Sequence, residues 1–238
     1  FGYRHLYNVA HSVICNASHV SFELVDLGVQ HERISIIPNP VDVKKIHLQA
    51  SKNKPLPKFD DPVLPMFVSL GRLSNQKGMD RLIDWVRQME VTANLLIVGD
   101  GPMLPDLIKK INAHNLQGCV KIMNFQKNPF PIMAKADAVL LGSRWEGLPN
   151  VALEALALGR IVIAAHECTS LRHLKDAKNI PELIVPKTGE GFVRELDTIA
   201  RKVISGGANF QFSFTSVLPD EFNLQTVVSR YGELIFGD

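Results

Sequence analysis

The sequence predicts an α/β chain built on a doubly wound, parallel six-stranded sheet with helices on both faces, and three observations predict it. Six short apolar runs, at 66–70, 95–98, 120–123, 138–141, 161–165 and 183–185, have the length and composition of strands. Helical patterns lie between them, so that parallel strands joined by crossover helices are implied. Leu82, Trp85, Val86 and Met89 recur at helical spacing after the first run, and Leu104, Leu107, Ile108 and Ile111 after the second, as core stripes. Gly99-Asp100-Gly101-Pro102 stands where a strand must turn into a helix. Trp85 belongs to its helical stripe and is expected in the core, with stacking on a nucleobase as the alternative.

Taken in chain order, residues 13–16 and 34–37 are strand-like and flank a helix candidate at 18–27, which Gly28 ends. That unit is too small to stand alone. Residues 52–65 carry Pro55, Pro57, Pro62 and Pro65 among charges, which breaks helix and strand alike and predicts a surface loop. After the run at 138–141 comes Glu146-Gly147-Leu148-Pro149-Asn150-Val151-Ala152-Leu153-Glu154, two carboxylates separated by seven residues. Pro149 suits the first helical position, because its fixed φ fits and its missing N–H would be unpaired there, and Gly159 suits the helix end. The amides of Asn150, Val151 and Ala152 are then open to an anion. Asn150 and Glu154, four residues apart, share a helix face, so one ligand can touch the amides, the Asn150 side chain and the second carboxylate.

With 238 residues, 46% of them hydrophobic, the chain can bury a sizeable core in one or two domains. A net charge of +2, from 26 basic and 24 acidic residues well mixed, gives no footprint for nucleic acid. The pairs Lys44-Lys45 and Lys109-Lys110 read as solvated faces. Cys15, Cys119 and Cys168 are odd in number and far apart, as suits reduced thiols better than disulfides or a structural zinc site. No apolar run approaches the ~18 residues needed to span a bilayer, and no secretory signal pattern opens the sequence. A cytoplasmic, soluble polypeptide is expected, and because it opens on Phe1 it is expected to be trimmed or part of a larger protein.

The segment 146–154 resembles the E-x(7)-E element of the retaining family 4 glycosyltransferases, which have the two-Rossmann-domain GT-B fold. Other segments agree in order and spacing. Ser69-Leu70-Gly71-Arg72-Leu73, followed by Gln76-Lys77-Gly78, resembles the family's phosphate-contacting loop. Ile97-Val98-Gly99-Asp100-Gly101-Pro102, Ala136-Asp137-Ala138 and Ser143 are similar to its other recurring positions, and Ile37-Pro38-Asn39-Pro40-Val41-Asp42 to its interdomain hinge. The resemblance runs from about residue 13 to the helix that holds Tyr231. It implies that 1–40 are the C-terminal end of an acceptor-binding Rossmann-like domain, mostly missing by roughly 150 residues or more. It implies further that 41–218 form the donor-binding Rossmann-like domain, entered across 39–46, and that 219–238 are a terminal helix packing back toward the first domain.

Arg72, Gly99-Asp100-Gly101, Asn124, Ser143 and Glu146 all follow predicted strands and so converge on the rim where open α/β sheets bind ligands. The resemblance implies a catalytic set of Glu146, Arg72 and Lys77. Glu146 would reach the donor sugar's hydroxyls, while Arg72 and Lys77 would stabilise the charge that grows on the β-phosphate. It implies a donor-binding set of Gly71, Gly101, Asn124, Phe125, Gly147, Leu148, Asn150, Val151 and Glu154. The amides of Asn150 and Val151 would hold phosphate, Glu154 would accept from both ribose hydroxyls, and the base would lie near Asn124-Phe125-Gln126-Lys127. Structural alternatives stand beside each role: an exposed helix carboxylate for Glu154, a loop charge for Glu146, an ion pair for Arg72 and a turn for Lys77-Gly78. Gly101 enters only as a ligand neighbour, and Gly99–Pro102 is chiefly a turn. His166 reads as a solvated loop histidine rather than a donor contact. Glu167–His173 lacks the family's glycine pair, which leaves the sugar open.

The implied function is transfer of a sugar from a nucleotide-diphosphate donor, a UDP-hexose or UDP-N-acetylhexosamine, to a glycan or lipid-linked acceptor with retention of configuration, in bacterial polysaccharide biosynthesis. No metal and no cofactor are expected, the nucleotide sugar being a substrate. Peripheral contact with the cytoplasmic membrane face would come through the missing first domain. The alternative is a donor-nucleotide-binding fragment without transfer activity of its own. A dinucleotide oxidoreductase is disfavoured, since Gly71-Arg72-Leu73-Ser74-Asn75-Gln76 stands where the G-x-G-x-x-G fingerprint belongs.

Overall fold

The computed structural model of the chain describes residues 6–7, 9–206 and 214–237. The start of the 1–40 unit, residues 207–213 of the 41–218 unit and the last residue of the terminal segment lie outside the described residues. A small parallel sheet pairs β1 (Val13–Cys15) with β2 (Ile34–Ile36), with α1 (Ser18–Asp26) as the crossover. After α2 (Val43–Ala50) the chain builds a second parallel sheet from β3 (Met66–Leu70), β4 (Asn94–Val98), β5 (Val120–Met123), β6 (Ala138–Leu141), β7 (Ile161–Ala164) and β8 (Leu183–Ile184). All six runs predicted as strands form, with ends moved by at most one residue. The intervening helices are α3 (Met79–Arg87), α4 (Leu104–Ala113), α5 (Phe130–Met133), α6 (Asn150–Ala157), α7 (Thr169–Lys178) and α8 (Gly189–Gly206).

These strands are apolar on both faces because helices cover both. Side chains alternate along each strand. Val68, Leu96, Val139 and Val162 join one core with Ile132, Ala152, Leu156 and Leu171. Phe67, Leu95, Leu140 and Ile163 join the other with Leu82, Ile83, Leu107, Phe192 and Leu196. Trp85 belongs to this second core, stacked on Phe192 with ring centroids 4.3 Å apart. The stripe on α4 is narrower than the sequence implied. Leu107 and Ile111 are buried but Ile108 is exposed, since one step of about 100° around the helix turns it from the sheet toward water.

Strand order is β5-β4-β3-β6-β7-β8. The chain steps outward from β3 to β5, then returns to the other side of β3 and steps outward to β8, so the order reverses between β3 and β6. A reversal of this kind opens a crevice at the carboxyl ends of those two strands. Beyond α8 the chain runs back over α6, where the Val217 amide donates to the Leu156 carbonyl. The helix expected within 219–238 is α9 (Leu224–Phe236), which starts later because a 3-10 turn, Asp220–Phe222, comes first and Asn223 caps the helix. Val41 and Asn223 form a β-bridge, Lys178 and Glu221 an ion pair of 2.7 Å, and Arg230 donates to the Ile36 carbonyl at 2.6 Å. The end of the chain thereby meets the small β1–β2 sheet.

Candidate functional site

The loops that leave β3 and β6 touch through glycine. Gly78 has φ +62°, and a Cβ there would stand 1.9 Å from the Gly142 carbonyl oxygen, so only glycine permits this backbone contact. The contact brings Lys77 beside Glu146, with Nζ 2.5 Å from Oε1, and Ser143 Oγ donates to the same oxygen at 2.8 Å. Arg144 braces the loop. Its guanidinium forks onto Asp80 at 3.0 and 2.7 Å, and its amide donates to the Gln76 carbonyl. Burial of Asp80 opposes ionisation, yet the hydrogen bonds and charge of Arg144 hold its carboxyl below the usual range. Gly78→Ala is expected to force these loops apart, destabilising the fold by about 2–3 kcal/mol. Thermal unfolding checks this, and a melting temperature equal to wild type would contradict it.

Helix α6 begins one residue later than expected. Pro149 is its extended cap (ψ 114°) and Asn150 its first residue. The Ala152 amide is consequently taken, donating to the Pro149 carbonyl at 3.0 Å, and Asn150 and Val151 head the helix. Gly159, with φ +65°, follows the helix end.

A cavity of 640 Å³ occupies the crevice at the strand ends. Of the residues singled out in the sequence, Gly71, Arg72, Lys77, Phe125, Glu146, Leu148, Asn150, Val151 and Glu154 line it, while Gly101, Asn124 and Gly147 do not. Gly101 instead packs on backbone, since a Cβ there would lie 2.4 Å from the Leu73 carbonyl oxygen. Arg72 is exposed and forms no ion pair among the described residues. Lys77 is therefore the cation already paired, and Arg72 the one left to meet a ligand. Glu154 is half-buried, and desolvation by the apolar helix around it pushes its carboxyl up to about 7.

Two contributors were not legible in the sequence, and a third was only half legible. Asp100, placed on the rim but given chiefly a turn role, lines the cavity and accepts from the Phe125 amide at 3.0 Å. Asn39, read as hinge, donates to the Leu148 carbonyl at 3.3 Å and to the Asn150 side chain at 2.6 Å. The Arg144–Asp80 fork spans 64 residues and had no local signal. His166 corrects another expectation: it is not a solvated loop histidine, because Nε2 lies 2.7 Å from Arg172 NH1 and Nδ1 is buried. Cys15, Cys119 and Cys168 are free thiols, and burial pushes Cys168 up to about 12. No cluster of metal-ligating side chains occurs among the described residues, nor any helix long and apolar enough to cross a membrane.

The six-stranded parallel sheet with helices on both faces, and its crevice at the switch point, are a Rossmann-like architecture, and the solved structures it matches make it the GT-B glycosyltransferase fold. The structure of Anabaena HepE in complex with UDP and glucose matches 99% of the chain at a TM-score of 0.77 and 20% identity, over 66% of that protein. The family described as glycosyl transferases group 1 matches residues 65–202, more than half of the chain, which therefore belongs to it. An uncharacterized glycosyltransferase of Methanocaldococcus jannaschii is 36% identical over 150 residues, 60% of this chain and 36% of the relative. The N-acetylgalactosamine-N,N'-diacetylbacillosaminyl-diphospho-undecaprenol 4-alpha-N-acetylgalactosaminyltransferase of Campylobacter jejuni is 28% identical over 171 residues, 71% of this chain and 45% of the relative. The chain thus spans less than half the length of these two curated relatives.

Proposed function

We propose that this chain is the donor side of a retaining glycosyltransferase that moves a sugar from a nucleoside diphosphate to a glycan or lipid-linked acceptor in surface polysaccharide synthesis. One observation carries the reading: a single cavity joins the unpaired Arg72, the first amides of α6 and the carboxyl of Glu154. Arg72 offers a planar fork to phosphate oxygens, and the α6 amides and helix dipole favour the same anion. As the sugar–phosphate bond breaks, charge grows on the leaving β-phosphate, and groups already aimed there lower the barrier. Glu154, as carboxylate, accepts from the two ribose hydroxyls. Glu146 gives one oxygen to Lys77 and Ser143 and keeps the other for a sugar hydroxyl.

Arg72, Lys77 and the amides supply the positive charge this reaction needs, so the reading includes no metal requirement. A UDP-hexose or UDP-N-acetylhexosamine is the proposed donor, in keeping with the UDP and glucose named for the Anabaena structure. The diphospho-undecaprenol in the Campylobacter relative's name supports a lipid-linked acceptor and peripheral contact with the cytoplasmic membrane face. Residues 1–40 are proposed as the end of an acceptor domain, 41–218 as the donor domain and 219–238 as the segment that returns to the first. Leu224, Val228, Tyr231 and Ile235 form an exposed apolar row on α9, which supports further protein packing there in the intact enzyme. Because the chain spans only part of its relatives, nucleotide binding without transfer is the second reading for the chain by itself.

Calorimetric titration with UDP, GDP and ADP tests the proposal. One nucleotide should bind, and Arg72→Ala/Glu154→Ala should abolish it. An intact protein that binds none of the three contradicts the donor site, and a transfer product of inverted anomeric configuration contradicts retention.

A further inference from the structure

The amide of Asn39 has a fixed direction. Its Nδ2 stands 3.3 Å from the Leu148 carbonyl, which can only accept, so the NH₂ group must face that way. The same Nδ2 is 2.6 Å from Asn150 Oδ1. The atom of Asn150 at this contact must therefore be its oxygen. Asn39 is held from its other side, since Asn16 Nδ2 reaches Asn39 Oδ1 at 3.4 Å. An otherwise symmetric-looking amide at the head of α6 is thus given one orientation.

Asn150 is exposed and lines both the 640 Å³ cavity and a neighbouring one of 520 Å³ that shares Glu154 with it. With its oxygen turned onto Asn39, the end of the Asn150 amide directed away from that contact is NH₂, a pure donor. We propose that Asn39 is a positioning residue: it locks the Asn150 amide so that hydrogen-bond donors, never the carbonyl, face the oxygen-rich part of a nucleoside diphosphate at the start of α6. Asn39 touches no ligand in this scheme and acts only through Asn150. It lies in the crossover between the β1–β2 unit and the larger sheet, so the path of that crossover is coupled to the polarity of the cleft. The proposal rests on the donor site described above.

A double-mutant cycle tests it, read as affinity for whichever of UDP, GDP and ADP binds the wild-type protein. Asn150→Ala should weaken binding about tenfold, the scale of one hydrogen bond to a charged group. Asn39→Ala should weaken it by about threefold to tenfold alone, and by almost nothing in the Asn150→Ala background. Asn39→Asp should be worse than Asn39→Ala, because a carboxylate facing Asn150 turns the amide and presents its carbonyl to the ligand. That extra penalty should shrink in the Asn150→Ala background, where no amide remains to turn. Effects of Asn39→Ala and Asn150→Ala that simply multiply overturn the proposal while leaving the donor site intact. Wild-type protein that binds no nucleoside diphosphate overturns both. Melting temperatures are recorded for every variant, and an Asn39→Ala that unfolds is replaced in the cycle by Asn39→Ser.

Discussion

Replacing Arg72 by alanine in the intact enzyme is expected to lower turnover by about a hundredfold or more while leaving the melting temperature within about 1 °C. The expectation follows from the charge arrangement around the cleft. Arg72 and Lys77 are the cationic residues that line it, against Asp100, Glu146 and Glu154. Lys77 is held 2.5 Å from Glu146 and is partly neutralised before any ligand arrives. Removing Lys77 would also strand the Glu146 side chain, which is only 8% exposed, so that loss of fold and loss of function would be mixed. Arg72 is exposed and outside every ion pair among the described residues, which makes it the cleaner probe. Turnover and unfolding measured on one preparation check the expectation. Wild-type turnover, or a fold that melts well below wild type, would contradict the assignment of Arg72 to the transition state.

Glu154→Gln is expected to make the unliganded protein more stable and its nucleotide binding weaker. Desolvation raises this carboxyl from 4.5 to about 7 in the folded chain. Between those values the folded state keeps a proton that the unfolded state gives up. Stability therefore falls as pH rises through the window and levels off above about 7, the full cost being up to about 3 kcal/mol. Glutamine removes that cost, so the substitution should raise stability at pH 8 and change little at pH 4. Nucleotide affinity should move the other way. The carboxylate is the form that accepts from two ribose hydroxyls, so binding by wild type should release a proton near neutral pH and strengthen from pH 6 to pH 8. The variant should bind about tenfold or more weakly at pH 8, with the gap narrowing toward pH 6, where wild type must first ionise. Titration in buffers of different ionisation enthalpy measures the proton directly. A pH-independent affinity, or a variant less stable than wild type at pH 8, would contradict this role.

The larger sheet was legible in sequence because strands buried on both faces read as near-continuous apolar runs: Ser69 alone interrupts Met66–Leu70, and nothing interrupts Ala138–Leu141. Residues that line the cleft from strand ends were legible for a related reason: strand ends fix the rim, so Gly71, Arg72 and Glu146 had known addresses. What escaped was contact between distant segments. Nothing near Arg144 points to Asp80, and nothing in the Asn39 hinge points to Asn150. The start of α6 was misplaced by one residue because proline suits both the cap and the first turn, and the extended ψ of Pro149 decides between them. His166 was misread because the Arg172 that meets it lies a helical turn and more away, on α7. Ile108 was assigned to the core by its helical spacing with Leu104, Leu107 and Ile111, but it sits at the edge of that stripe, about 100° round the helix from Leu107, and faces water.

The most direct measurement is a crystal structure of the protein with a bound nucleoside diphosphate. Phosphate oxygens should lie about 3 Å from the Arg72 guanidinium and from the amides of Asn150 and Val151, with both ribose hydroxyls on the Glu154 carboxylate. A nucleotide bound elsewhere, or one whose diphosphate lies away from the start of α6, would contradict the assignment of this cleft as a sugar-donor site.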